Sequence, residues 1–170
     1  MCIRDSSPEQ VAQAERFGIE GVREGELQAT VDGLAAASLD VVLTLDVLEH
    51  LTRDEVFRLS DGVFRALAPG GRWIVHVPNA ESPLFGRVLY GDLTHELAFT
   101  RASLQQMWSA TGFRRCMFFE DKPVVHGLPS AARRVVWEVL RACWRLQLAA
   151  ESGSAAGAIF TQNLLGIATR

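Results

Sequence analysis

Asp46, Glu49 and His50 close the segment Asp40-Val-Val-Leu-Thr-Leu-Asp-Val-Leu-Glu-His-Leu51. Hard carboxylate oxygens with an imidazole suit Mg²⁺ or Zn²⁺, and an imidazole can take a proton from a hydroxyl near neutral pH. The residues before them, Val41 to Leu45, are apolar and rich in β-branching, the pattern of a strand buried on both faces of a parallel sheet. Ligands of open α/β sheets bind beyond the carboxyl ends of the strands, where these polar groups fall. A plainer reading competes. Acids are favourable at a helix N-terminus, so Glu49-His50 can simply open the next helix while Asp46 and Leu48 line a ligand by backbone and packing. A second imidazole, His95, stands in Asp92-Leu93-Thr94-His95-Glu96. It is a candidate base for a phenol or alcohol, or a tether for its own loop.

The elements that must position these groups follow from local signals. Ser7-Pro8-Glu9-Gln10 supplies a cap, a proline at the first helical position and a capping-box glutamine, and Gly18 ends that helix. A short strand is expected around Gly21-Val22-Arg23, then a loop at Gly25-Glu26-Leu27 and a weak helical turn over 32–37. After His50, Thr52-Arg53-Asp54-Glu55 is a second capping box. Val56, Leu59, Val63 and Leu67 make its apolar stripe, and Pro69-Gly70-Gly71 stops it. Trp73 to Val77 is the next buried strand, so the unit is βαβ with a right-handed crossover. Residues 80–99 lose periodicity and read as a binding or lid loop, with Phe85 and Tyr90 as candidate apolar walls of a pocket or as packing within the loop itself. Thr100 caps a helix ending at Gly112, and Phe113 to Glu120 alternates as a strand. An additional helix spans 130–150 with Val136, Val139, Leu140, Cys143 and Leu146 inward, and a last strand lies within Ala158–Ala168. His76 and His126 read as structural.

Composition narrows the classes. The 170 residues, 48% apolar and 22% charged, suit one soluble domain over 1–170. A net charge of −3 gives no support for a nucleic-acid partner. Cys2, Cys116 and Cys143 are widely spaced, without the pattern of a zinc site or disulfide framework. No apolar run is long enough to span a membrane and no signal peptide opens the chain; the expected location is cytoplasmic. Trp and Arg on the 130–150 helix leave membrane-surface contact as a minor alternative to a solvated basic face.

Ser7-Pro8-Glu9-Gln10, Leu39-Asp40-Val41-Val42, Asp46-Val47-Leu48-Glu49-His50-Leu51 and Leu67-Ala68-Pro69-Gly70-Gly71-Arg72 together resemble the class I S-adenosylmethionine-dependent methyltransferases, most nearly the ubiquinone-biosynthesis O-methyltransferase branch. The resemblance implies an α/β, Rossmann-like sheet, mostly parallel with an antiparallel last strand, in which 113–120 and 158–168 form the closing hairpin. It also exposes a departure. The family's first strand and glycine-rich turn have no counterpart before Asp5, so the chain is expected to be an N-terminally truncated piece.

By resemblance, Asp5 holds the ribose hydroxyls of S-adenosylmethionine and Glu26 with Leu27 meets the adenine. Asp46, Val47 and Leu48 line the cofactor. Asp46, Glu49 and His50 match residues implicated in binding a divalent metal such as Mg²⁺. His50 and His95 are the catalytic candidates. The implied function is methyl transfer to a small-molecule acceptor, with oxygen favoured. The alternative is a non-catalytic, methyltransferase-like module that binds a partner through an exposed sheet edge. A nicotinamide-dependent dehydrogenase lacks its glycine-rich phosphate turn here.

Overall fold

The computed structural model describes residues 3–5 and 8–170. Strand β1 (Ile3–Asp5) pairs in parallel with β2 (Val22–Glu24), and helix α1 (Pro8–Arg16) crosses between them. The Ser7 cap lies outside the described residues. At its other end α1 closes as expected at Gly18, whose φ of 67° is left-handed, with Ile19 N–H bonded back to the Ala14 carbonyl.

A second sheet has the order β3 (Leu39–Leu45), β4 (Leu67–Pro78), β6 (Asn163–Thr169), β5 (Arg115–Glu120). β3 and β4 are parallel, whereas β6 runs antiparallel to both β4 and β5. The α/β fold with an antiparallel last strand is therefore the one expected.

One face of this sheet is the core. Val42, Trp73, Ala168 and Cys116 form one row across it and Thr44, Val75, Gly166 and Phe118 the next. Helices α3 (Arg53–Ala66) and α5 (Arg101–Thr111) cover these rows, burying Val56, Leu59, Val63, Leu104, Met107 and Trp108. Both helices start on full capping boxes, Thr52 with Glu55 and Thr100 with Ser103, and two reciprocal bonds at each end fix where they begin. Gly166 is needed for this packing: a Cβ there would stand 2.6 Å from the Trp108 ring.

Four expectations are corrected. β3 is not buried on both faces: Val41, Leu43 and Leu45 remain 54%, 55% and 53% exposed, because no helix covers the second face of the sheet and β3 pairs on one side alone among the described residues. The helical turn expected over 32–37 lies earlier, as α2 (Leu27–Asp32), because Glu26 caps it with its own carboxylate. α3 stops at Ala66, so Pro69-Gly70-Gly71 falls inside β4, opposite a register slip between Leu39 and Val41. Residues 80–99 hold a short helix, α4 (Phe85–Leu89), and end on the buried Phe99.

The last helix, α6 (Leu128–Ser152), is rotated from the expected orientation. Val136, Val139, Leu140, Cys143 and Leu146 face outward, and Trp137, Arg141, Trp144 and Arg145 face the protein. Arg141 donates to Glu120, whose carboxylate is buried, at 2.8 Å, and Lys122, Arg134 and Arg141 all lie over the Trp137 ring. Long arginine stems and indole rings cover more apolar surface than valine does, and Glu120 needs a cation, so this face wins.

Candidate active site at the carboxyl end of β3

β3 ends at Leu45, and Asp46 turns the chain with a left-handed φ of 51° while its N–H bonds to the His76 carbonyl. A single 3-10 turn, Leu48–His50, follows. Leu48 points wholly into the core, which leaves Glu49 facing the loop at 92–97. That loop is tied to the turn by its backbone: Glu96 and Leu97 N–H both donate to the Glu49 carbonyl, at 2.7 and 3.0 Å. The result brings His95 to His50, with ring centroids 4.7 Å apart.

Glu49, His50 and His95 each offer one ligand atom, and these atoms lie within 4.8 Å of one another. Glu49 is 1% exposed, and its Oε2 has no hydrogen-bond partner. Burial pushes its carboxyl above the usual range, with Asp46 adding to the rise and its own backbone N–H and the two imidazoles opposing it.

The hydrogen bonds around the imidazoles fix their tautomers. Asp92 Oδ1 can only accept, so the Thr94 hydroxyl donates to it at 2.7 Å and receives the His50 Nδ1–H at 2.9 Å. His95 Nδ1 faces the Val88 carbonyl at 3.1 Å and donates there. In the neutral rings both Nε2 atoms therefore carry lone pairs. Histidines that ligate metals are commonly held this way, one nitrogen donating to a carbonyl or a polar relay so that the other is free to ligate. The Thr94 N–H and hydroxyl hold the Asp92 carboxyl below its usual range.

The remaining candidates separate from this cluster. Asp46 turns its carboxylate to His76, Oδ1 to Nδ1 2.7 Å, and His76 Nε2 faces Asp121 at 3.5 Å; His76 was read as structural from sequence. Glu26 accepts from the N–H groups of Gln28 and Ala29, at 2.8 and 2.6 Å, while also lining a cavity of about 340 Å³ with Gly25, Ala29 and Gly33. Leu27 and Val47 are half-buried against the core. Asp5 lies on β1 by its backbone, and its side chain is outside the described residues. Phe85 and Tyr90 are exposed. From sequence, His50 stands as a metal ligand or base and His95 as a base or loop tether, with nothing to join the two and with the Asp92–Thr94 relay unrecognised. The signal was present, since Asp-x-Thr is a side-chain-stabilised turn.

Residues 3–75 match the sequence family described as "Methyltransferase domain". The small RNA 2′-O-methyltransferase of Mus musculus is 34% identical over 67 residues, covering 39% of this chain and 17% of that protein. Its Rattus norvegicus counterpart is 31% identical over 83 residues, 47% of this chain and 21% of that protein. The chain thus spans about a fifth of the length of these curated relatives. Among solved structures, a SAM-dependent methyltransferase from Archaeoglobus fulgidus superimposes with a TM-score of 0.71 at 19% identity, over 98% of this chain and 74% of that one. An S-adenosylmethionine-dependent methyltransferase from Mesorhizobium loti gives 0.62 at 18% identity, over 98% and 78%. A phosphoethanolamine N-methyltransferase from Haemonchus contortus, in complex with S-adenosyl-L-methionine, gives 0.59 at 15%, over 98% and 42%.

Proposed function

We propose that this chain, a class I S-adenosylmethionine-dependent methyltransferase by fold and by its matched domain, directs a methyl group to a hydroxyl oxygen of a small molecule with the help of a divalent cation held by Glu49, His50 and His95. The observation that carries the cation is the buried Glu49 carboxylate, whose Oε2 is orphaned, grouped with His50 and His95 so that one ligand atom of each lies within 4.8 Å, the Nδ1 of each ring being engaged by Thr94 or Val88. A buried acid without a partner is costly, and a cation in that position would remove the cost. Two imidazoles and one carboxylate suit Zn²⁺, Mn²⁺ or Fe²⁺ better than Mg²⁺, which prefers an all-oxygen shell.

S-adenosylmethionine supplies an already activated methyl group, and a bound cation supplies polarisation of the acceptor hydroxyl. The chain's own residues then have modest tasks. His50 and His95 are held in one orientation by Thr94 and Val88, and the turn at 48–50 carries Glu49 next to His50. Such fixed geometry lowers the entropic part of the barrier. An oxygen acceptor agrees with the relatives that act on a ribose oxygen, whereas the net charge of −3 favours an acceptor other than RNA.

On the nucleoside side the fit is partial. Glu26 is occupied as the cap of α2, and among the described residues no glycine-rich turn leaves β1. The test is titration of Mn²⁺ followed by its paramagnetic signal, alongside calorimetry with S-adenosylhomocysteine. Saturable binding of one Mn²⁺, lost in Glu49→Gln and in His95→Ala, is expected. Mn²⁺ binding unchanged in both variants would overturn the metal reading without touching the cofactor measurement.

A further inference from the structure

Surface helices of globular proteins turn their apolar stripe to the core. α6 does the reverse. Its arginines and indoles lie against the body, and its outer side is apolar along most of its 25 residues. Val136, Val139 and Leu146 are 58%, 59% and 72% exposed. From Ala132 to Ala150 the outer side leaves about 600 Å² of apolar surface in water, the upper end for a patch on a monomer.

The spacing of this patch is that of a helix–helix seam. Ala132, Val136, Val139, Cys143, Leu146 and Ala150 follow one another by alternate steps of four and three. Such a repeat averages 3.5 residues and keeps one line of side chains facing a second helix. In the same frame Arg134 and Arg141 fall directly behind the seam, where one pairs with Glu138 and the other with Glu120. The seam is also symmetric about Arg141. Ala132 and Ala150 stand nine residues to either side of it, Val136 and Leu146 five, Val139 and Cys143 two. A second copy running antiparallel therefore sets valine on leucine and valine on cysteine through the middle, with alanine on alanine at both ends.

The flanks of the seam choose the direction. One flank carries Arg133, Leu140 and Gln147, the other Val135, Ala142 and Ala149. In an antiparallel pair like flanks meet, so Arg133 meets Gln147 of the second copy and Leu140 meets Leu140. In a parallel pair unlike flanks meet, and Arg133 and Gln147 would face Leu128 and Ala142. Only the antiparallel pair puts the polar side chains on each other.

We infer that the outer side of α6 is an isologous interface with a second copy of this chain, the two helices antiparallel about a two-fold axis level with Arg141. Two copies of the strip bury about 1,200 Å² in total, the lower end for a stable, specific interface. Isologous pairing covers the same patch on both copies at once. A lipid surface fits the helix less well. Helices that lie in a membrane plane keep cationic side chains free for headgroups, whereas Arg134, Arg141 and Arg145 donate to Glu138, Glu120 and the Ala155 carbonyl. The inference rests on α6 and on no step of methyl transfer or metal binding.

The experiment is sedimentation of the full chain across the micromolar range, where a monomer–dimer equilibrium is expected. Leu140→Glu places like charges across the axis and should weaken association roughly tenfold or more. Mixing it with Leu140→Lys should restore a mixed dimer, and circular dichroism of each variant separates lost pairing from lost folding. Direction is read by thiol bridging in a Cys143→Ala background. Val136→Cys combined with Leu146→Cys should give a covalent dimer on mild oxidation. Either change alone should not, because its two thiols would lie about 15 Å apart along the antiparallel pair. A monomer at every concentration overturns the inference, as does a dimer that Leu140→Glu leaves intact. Bridging by the single variants overturns the antiparallel register. Flotation with phosphatidylcholine–phosphatidylglycerol vesicles in place of self-association would give the face to lipid and overturn the inference as well.

Discussion

Replacing Glu49 by Gln tests the site through stability, with no acceptor needed. Glu49 is buried, its Oε2 has no partner, and its carboxyl is pushed above the usual 4.5 by desolvation. A raised carboxyl binds its proton more tightly in the folded protein than in the unfolded chain. Its contribution to stability is therefore fully present below the unfolded value and is lost as pH rises through the folded one. Above the folded value the ionised group is a burden. Leaving a buried polar group unsatisfied costs about 1–3 kcal/mol, and more for a charge. The isosteric amide removes the charge, so Glu49→Gln should stabilise the metal-free protein by about 1–3 kcal/mol once pH exceeds the folded value, or roughly 2–12 °C in Tm for a chain of this size. It should also flatten the stability change between pH 4.5 and neutrality. Mn²⁺ at a hundredfold excess over its Kd should raise wild-type stability by about 2.7 kcal/mol and the variant's by nearly nothing. Calorimetric melts across pH, with and without Mn²⁺, give all of these values. A variant less stable than wild type above the folded value, combined with equal Mn²⁺ responses, would refute both the burden and the cation.

Three further outcomes follow from other contacts. Thr94→Val breaks the relay from Asp92 to His50 and should weaken Mn²⁺ binding by about 10–100-fold, measured by paramagnetic titration, with little change in melting. Asn79 is buried, donates to the carbonyls of Ile159 and Thr161 and accepts from Glu81 N–H. Asn79→Ala should cost about 2–4 kcal/mol in urea unfolding, because several backbone groups lose their only side-chain partner. Gly166→Ala drives a methyl into the Trp108 ring and should cost about 1–3 kcal/mol, with the Trp108 fluorescence altered in the folded state.

The local elements were legible because they are set by nearest neighbours. The capping boxes at Thr52 and Thr100, the glycine stops at Gly18 and Gly112, and the apolar run Trp73–Val77 each act within a few residues. α2 was misplaced because Glu26 can face a ligand or cap a helix, and residue type does not choose between the two. The orientation of α6 was misread for a related reason. Helical spacing marks the valine stripe, but burial went to the arginine and tryptophan face because Glu120, on a distant strand, needs a cation.

By itself the sequence determined that a strand delivers Asp46, Glu49 and His50 to a strand–helix junction, since β-branched runs and caps are local chemistry. Only the tertiary structure decided which of them act together. Asp46 and Glu49 are close in the chain, yet the left-handed turn at Asp46 sends its carboxylate to His76. His95 lies 45 residues beyond His50, and backbone bonds to the Glu49 carbonyl bring it in. Ligand geometry is a property of three-dimensional distance, and spacing along a chain fixes that distance only within a single element.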